Sequence, residues 1–145
     1  MGNIKKIEWE KKYSVDIGEV DNHQKKMFAL FNELIDLKKG KNDAKEVTNK
    51  ISEINDFAKL YFSTEEKVLK KKKYPDFQNH TKAHRQFIKS SIALRREIAD
   101  DIENLTDEVI AELRDWLINH ILTMDSLFVP FVRINNYIEE SGRKN

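Results

Sequence analysis

Apolar residues recur at helical spacing in four segments of this chain. Within each segment they lie three or four positions apart, which places them on one face of a helix. Few residues break the pattern, since the chain contains 4 Gly and 2 Pro. The pattern predicts an all-α, up-down-up-down four-helix bundle that forms a single domain over residues 1–145. The predicted helices cover about residues 19–39, 44–72, 77–103 and 107–124.

The two ends of the chain lack this long helical pattern. Residues 1–18 alternate roughly as an extended segment does, and we expect them to form an N-terminal arm packed on the outside of the bundle. Thr106 is the expected N-cap of the fourth helix. Pro130 is expected to disturb that helix, which leaves a short C-terminal helix in the tail, residues 128–140.

Charge and composition exclude several classes of partner. The chain has 26 basic and 25 acidic residues and a net charge of +1, so its charge favours neither nucleic acid nor an anionic membrane. Its apolar runs stay below ~18 residues, the length expected of a membrane span. The absence of cysteine fits a reducing compartment. We therefore expect a soluble, cytoplasmic protein, and the sequence leaves its oligomeric state open.

Polar residues interrupt the apolar faces at a few positions. His80 and His84 are four positions apart on the inner face of the third helix, and Glu65 and His120 lie on the inner faces of the second and fourth. Burying such groups without partners is costly, so they need a metal ion or a dense hydrogen-bond network. Nitrogen and carboxylate ligands in a bundle core favour a non-haem transition metal. Asp125 lies about 140° from His120 on an ideal helix, so it can join them only if the helix loosens or ends there, or if the facing helices bracket the site.

Four motifs carry a resemblance that covers nearly the whole chain. They are WEKKYSVDIGEVDNHQKKMFALFNEL, YFSTEE, YPDFQNHTKAHRQF and LRDWLINHILTMD. In order and spacing, the chain resembles the hemerythrins, specifically the bacterial single-domain type. The resemblance implies two non-haem iron ions between four helices that bind dioxygen reversibly. It places three ligands of one iron on His80, His84 and His120, and the carboxylates that bridge the two irons on Glu65 and Asp125.

The chain departs from the family pattern at both histidine ligands of the second iron. Gln24 and Tyr61 occupy those places, and the usual Gln-His order is inverted to His23-Gln24. Three alternatives follow. Tyr61 and Gln24 can hold a second ion through oxygen, which would favour ferric iron or manganese. The second site can be absent, with Tyr61 as a plain core aromatic. A register change can bring His23 inward, although this would also displace the apolar residues of the first helix.

The expected function is that of a hemerythrin-like protein that binds dioxygen or a related small ligand for carriage, storage or sensing. Phe28, Trp116 and Leu117 are expected to line the ligand pocket. The alternatives are a mononuclear or mixed-metal protein for iron holding or redox and peroxide chemistry, with manganese or zinc as other metals, and a metal-free interaction bundle. Weak oxidase or peroxidase activity is compatible with the site. No nucleophile–base pair or phosphate loop supports a conventional hydrolase or transferase.

Overall fold

The structure, a computed structural model, describes residues 4–40 and 44–143. Within these ranges the regular elements are all helical, and the prediction of an all-α four-helix bundle is confirmed. The long helices are α1 (Gly18–Lys39), α2 (Ala44–Lys71), α3 (Phe77–Asp100), α4 (Asp107–His120) and α5 (Ser126–Arg143).

The helix ends follow from local hydrogen bonding. The Thr106 side chain accepts a hydrogen bond from the backbone N–H of Val109 at 3.2 Å, so it caps α4 as predicted. At the end of α2, Lys73 adopts a left-handed conformation with φ of 58°. The backbone N–H of Tyr74 then donates to the carbonyl of Leu69 at 3.0 Å, which closes the helix in a Schellman motif.

The third helix is shorter than the sequence predicts. It ends at Asp100 and not near Glu103, because Asp101 is extended, with φ of −155° and ψ of 115°. The Asp101 side chain accepts a hydrogen bond from the backbone N–H of Glu103 at 3.0 Å and caps a separate 3₁₀ turn, Ile102–Asn104. This short side chain offers the backbone an alternative to continuing the helix.

A π-helical turn, Ile121–Asp125, joins α4 to α5 without a break. The backbone N–H of Ser126 donates to the carbonyl of Ile121, five residues earlier. A π turn holds about one residue more than an α turn, so Asp125 comes to lie near the face of His120. Of the alternatives that the sequence left open for Asp125, the structure shows the loosened helix.

The expected C-terminal helix is present, but the expectation that Pro130 disturbs the helix ahead of it is wrong. Pro130 lies inside α5, which starts directly after the π turn and reaches Arg143. A proline removes one backbone donor, but its fixed φ is helical, so the helix continues through Pro130 without that one hydrogen bond.

The N-terminal arm packs on α1. Ile7 is fixed to Asn32 by a pair of hydrogen bonds: its backbone N–H donates to Asn32 Oδ1, and its carbonyl accepts from Asn32 Nδ2, both at 2.8 Å. Tyr13 and Val15 of the arm are buried in the core. The arm is therefore part of the packed structure, and it covers the side of α1 that carries Gln24.

The combined helix formed by α4, the π turn and α5 is long and apolar enough to cross a membrane by length and composition alone, a feature that the sequence analysis did not anticipate. Its most apolar window is 39% buried inside the protein. The same helix contributes His120 and Asp125 to the interior, so its apolar character is explained in part by the bundle core.

Candidate metal centre

Five buried side chains from three helical segments meet in the bundle core. Their ligand atoms all lie within 4.8 Å of one another. The second helix supplies one carboxylate, α3 supplies two imidazoles, and the α4–π segment supplies the third imidazole and the second carboxylate. None is more than 4% exposed. These are the five residues that the sequence placed together: Glu65, His80, His84, His120 and Asp125.

Each carboxylate places one oxygen among the imidazoles. Glu65 Oε1 is 2.5 Å from His80 Nε2 and 3.1 Å from His84 Nε2. Asp125 Oδ1 is 3.1 Å from His80 Nε2 and 3.3 Å from His120 Nε2. The Nε2 atoms of His84 and His120 are 3.0 Å apart. All three imidazoles therefore present the same nitrogen to one point.

These separations fit ligands arranged around one metal ion. Two ligand atoms about 2.1 Å from an ion and at right angles around it lie about 3.0 Å from each other. Glu65 Oε2 is buried and has no hydrogen-bond partner among the described residues, which is expected of a group that awaits a further ligand. Three nitrogens with two carboxylates can hold iron, manganese or zinc.

Two residues that the sequence analysis did not select hold His84 in place. Its Nδ1 lies 2.8 Å from Glu66 Oε2, so a proton on Nδ1 is donated to that carboxylate and Nε2 keeps its lone pair for a metal. On its flat side, His84 stacks on Phe62 with ring centroids 4.0 Å apart and an interplanar angle of 7°. The apolar pattern of α2 does not indicate Glu66, because Glu66 falls outside the apolar stripe. The one feature that could have indicated it is that a metal-binding imidazole needs a hydrogen-bond acceptor for its other ring nitrogen.

We expect the Glu66→Ala change to lower metal affinity about 10- to 100-fold, because His84 loses the acceptor that fixes its tautomer and orientation. Glu66→Gln keeps an acceptor oxygen and should lose less. Asp56→Ala, at an exposed acidic position on the same helix, is the matched control. Competition titration against a chromogenic chelator measures the affinities. Equal affinities in Glu66→Ala and Asp56→Ala would remove this role from Glu66.

The metal-free cluster is held by ion pairs between imidazoles and carboxylates. Burial lowers the pKa of His80, but its hydrogen bonds with Asp125 and Glu65 outweigh this and raise it to about 10. Burial raises the pKa of Asp125, but the hydrogen bonds with His120 and His80 lower it to about 2. In the metal-free protein at neutral pH, a protonated His80 therefore lies beside the charged Asp125 carboxylate.

This protonation gives a defined pH dependence. The stabilisation from His80 is full below its ordinary pKa of 6.5 and is lost as pH rises through about 10. The stabilisation from Asp125 is present above its ordinary value of 3.8 and is lost as pH falls towards about 2. The metal-free protein should therefore be most stable between pH 3.8 and 6.5, and metal binding at pH 7 should release protons. Calorimetry in buffers of different ionisation enthalpy counts them, and zero release would contradict the protonated His80.

Tyr61 and Gln24 lie beside this cluster and are both fully buried. The Tyr61 hydroxyl is 3.5 Å from Asp125 Oδ2, the carboxylate oxygen that faces away from the imidazoles. Burial raises the pKa of Tyr61 well above its usual value, and the charges of Asp125 and Glu65 raise it further, while the neighbouring Gln24 side chain acts in the opposite direction. In the metal-free protein Tyr61 is therefore a neutral phenol.

His23 lies outside the five-residue cluster. Its ring packs edge-on against Phe57, with centroids 5.3 Å apart, and faces Tyr61 at 6.3 Å. It is only partly buried, at the boundary of the α1 apolar face, where its sequence position puts it. No register change of α1 brings it to the centre.

The three residues expected to line a ligand pocket differ in where they lie relative to the five-residue cluster. Trp116 stacks on His120 with centroids 4.9 Å apart and an interplanar angle of 9°. Leu117, next to Trp116 in α4, is fully buried. Phe28 is buried against Tyr13 of the arm at 5.3 Å, edge to face. Of the three, Trp116 contacts a member of the cluster directly.

A family model, curated proteins and a solved structure that resemble this chain all carry the name hemerythrin or bacteriohemerythrin. Residues 15–132 match the model of the hemerythrin HHE cation binding domain. The chain is 30% identical over 127 residues to a bacteriohemerythrin of Pseudomonas aeruginosa, covering 86% of this chain and 80% of that protein. It is 26% identical over 118 residues to a bacteriohemerythrin of Methylococcus capsulatus, covering 81% and 89%. A crystal structure of wild-type hemerythrin superposes with a TM-score of 0.78 at 25% identity, covering 86% of this chain and 95% of the other.

Proposed function

Because the chain belongs to the hemerythrin family, whose HHE cation-binding domain spans residues 15–132, we propose that it binds non-haem iron in its core and a small oxygen-bearing ligand, dioxygen first, at that centre. The ligands of the iron are His80, His84, His120, Glu65 and Asp125. Its role is carriage, storage or sensing of the ligand, and its location is cytoplasmic. The relatives named bacteriohemerythrin support this function.

The observation that carries the proposal is the convergence of the five ligand atoms within 4.8 Å in a fully buried position. Charged and polar groups are rarely buried together unless they have partners or a metal. When bound, iron supplies a redox-active centre with room for an exogenous ligand. The protein residues orient the imidazoles, exclude bulk water and hold the carboxylates in place.

A buried site of this kind also supports a distinct alternative. With Gln24 and Tyr61 at the two substituted positions, the centre can hold metal without binding dioxygen reversibly. The chain would then act in iron holding or in redox and peroxide chemistry, with manganese or zinc as competing metals. Tyr61 favours this alternative because its hydroxyl occupies the space next to the outer oxygen of Asp125.

Metal analysis combined with optical spectroscopy tests the proposal. Protein purified with iron should contain iron in a fixed ratio to the chain and should show an absorption band that appears with air and disappears under argon. Iron without such a reversible band would favour the metal-holding alternative. A well-folded protein that takes up no transition metal would refute both and leave the metal-free bundle.

A further inference from the structure

We propose that the place of the family's second metal is, in this chain, a hydrogen-bonding subsite for a small protic oxygen ligand, and that Trp9 orients it through Gln24. The ligand class is water or hydrogen peroxide. This inference rests on the proposed function, because the subsite adjoins the five-residue metal centre. It predicts that the chain binds about one metal ion, held by the intact ligand set.

The orientation of the Gln24 amide is the first step. Trp9 Nε1 donates a hydrogen bond to Gln24 Oε1 at 2.8 Å. An indole N–H is a donor only, so the amide atom that meets it must be the oxygen. The carbonyl oxygen, which is the atom that a metal would require, is therefore already bonded to the arm. The indole is also held by Lys25, whose Nζ lies 4.4 Å from the ring centroid.

Apart from the neighbouring Tyr61 hydroxyl, the other end of the amide has no partner among the described residues. Gln24 is fully buried, and its Nε2 forms no hydrogen bond with any described residue. The amide lies beside the Tyr61 hydroxyl. An amide nitrogen has no lone pair to give to a cation, so this group can donate to an oxygen but cannot ligate a metal. The residues at the second position therefore do not fit a second metal ion.

The two carboxylates show what the subsite can accept. Each uses one oxygen on the imidazole side, so the outer oxygens are Glu65 Oε2 and Asp125 Oδ2. Asp125 Oδ2 faces the Tyr61 hydroxyl at 3.5 Å, whereas Glu65 Oε2 is buried and has no hydrogen-bond partner among the described residues. Both Gln24 and Glu65 act on the Tyr61 hydroxyl, so a ligand beside this hydroxyl would have Gln24 Nε2 as a donor and Glu65 Oε2 as an acceptor.

This mixture of donor and acceptor selects the ligand chemistry. A small anion without a proton could accept from Gln24 but would be repelled by the Glu65 carboxylate. A molecule that carries both a lone pair and a proton satisfies both buried groups. Water fits this description in the resting protein, and hydrogen peroxide is the reactive ligand of the same class. The subsite would hold it against the metal centre, in a position set by Trp9.

Zinc-loaded protein allows a test without redox chemistry, because zinc does not change oxidation state. Elemental analysis should give about one ion per chain. In nitrogen-15 NMR spectra, the Gln24 side-chain NH₂ signal, assigned by its loss in Gln24→Leu, should shift with added hydrogen peroxide and respond less to azide at equal concentration. In Trp9→Phe, the amide is free to rotate, and the peroxide shift should fall several-fold.

Gln24→Glu is the matched variant, because it keeps the shape and an oxygen for Trp9 but places a carboxylate oxygen where the NH₂ group was. We expect its metal content to rise above that of the unaltered protein. Two ions per unaltered chain, or a Gln24 signal that ignores peroxide, would overturn the inference while leaving the metal centre intact. A Gln24→Glu protein with unchanged metal content and an unchanged peroxide affinity would also overturn it. Failure to bind any metal would instead refute the proposed function.

Discussion

The His80→Ala protein is expected to lose its bound metal and to be less stable even without metal. His80 lies between both carboxylates, 2.5 Å from Glu65 Oε1 and 3.1 Å from Asp125 Oδ1. Its removal takes away one ligand and leaves two buried carboxylates with weaker compensation. Breaking a buried ion pair from one side typically costs about 3–5 kcal/mol of unfolding free energy. Urea denaturation of the metal-free protein and metal analysis after dialysis measure the two effects.

His23→Ala is the control for this change. His23 is also on a helix face near the core, but it packs against Phe57 and lies outside the ligand cluster. Its replacement should remove some packing and leave the metal content unchanged. Retention of full metal binding by His80→Ala, or its loss in His23→Ala, would mean that the ligand set has been assigned to the wrong histidines.

The helices could be predicted because their signal is local. An apolar residue every three or four positions describes a buried helix face regardless of what covers it. The same logic found Glu65, His80, His84 and His120, since a polar residue in an apolar stripe is visible without knowledge of the fold. The predicted boundaries failed where a single side chain changed the backbone, as at Asp101, which ends α3 early.

Other features of the centre depend on tertiary contacts, which the apolar pattern of a single helix does not reveal. The π turn that brings Asp125 under His120 has no distinct residue pattern, and only the need for both residues at one site suggested it. Glu66 appeared to be a surface residue because it lies beside the apolar face, although His84 makes it part of the site. Trp9 lies fifteen positions from Gln24, in an arm without helical period, so their hydrogen bond follows from docking of the arm.

The double variant Gln24→His, Tyr61→His is expected to gain a second metal ion. It places an imidazole at each of the two positions where the resemblance to the family implies a histidine ligand. It also removes the Tyr61 hydroxyl from Asp125 Oδ2, so both outer carboxylate oxygens become available to a cation. Two imidazoles with two carboxylate oxygens supply four ligands for iron or zinc. Metal analysis should show the content rising from about one to about two ions per chain.

Binding of a second metal ion by the double variant should also change its thermal stability. Without metal, two additional buried imidazoles have incomplete hydrogen bonding, and each unsatisfied group costs about 1–3 kcal/mol. The metal-free double variant should therefore unfold at lower temperature than the unaltered protein, and metal should restore more stability to it, since binding to the folded state alone is stabilising. Each single variant lacks one ligand and should remain near one ion per chain. A well-folded double variant that also binds about one ion per chain would show that a feature other than Gln24 and Tyr61 prevents the second ion from binding. Removal of the N-terminal arm, which contacts Gln24 through Trp9, would then be the next test.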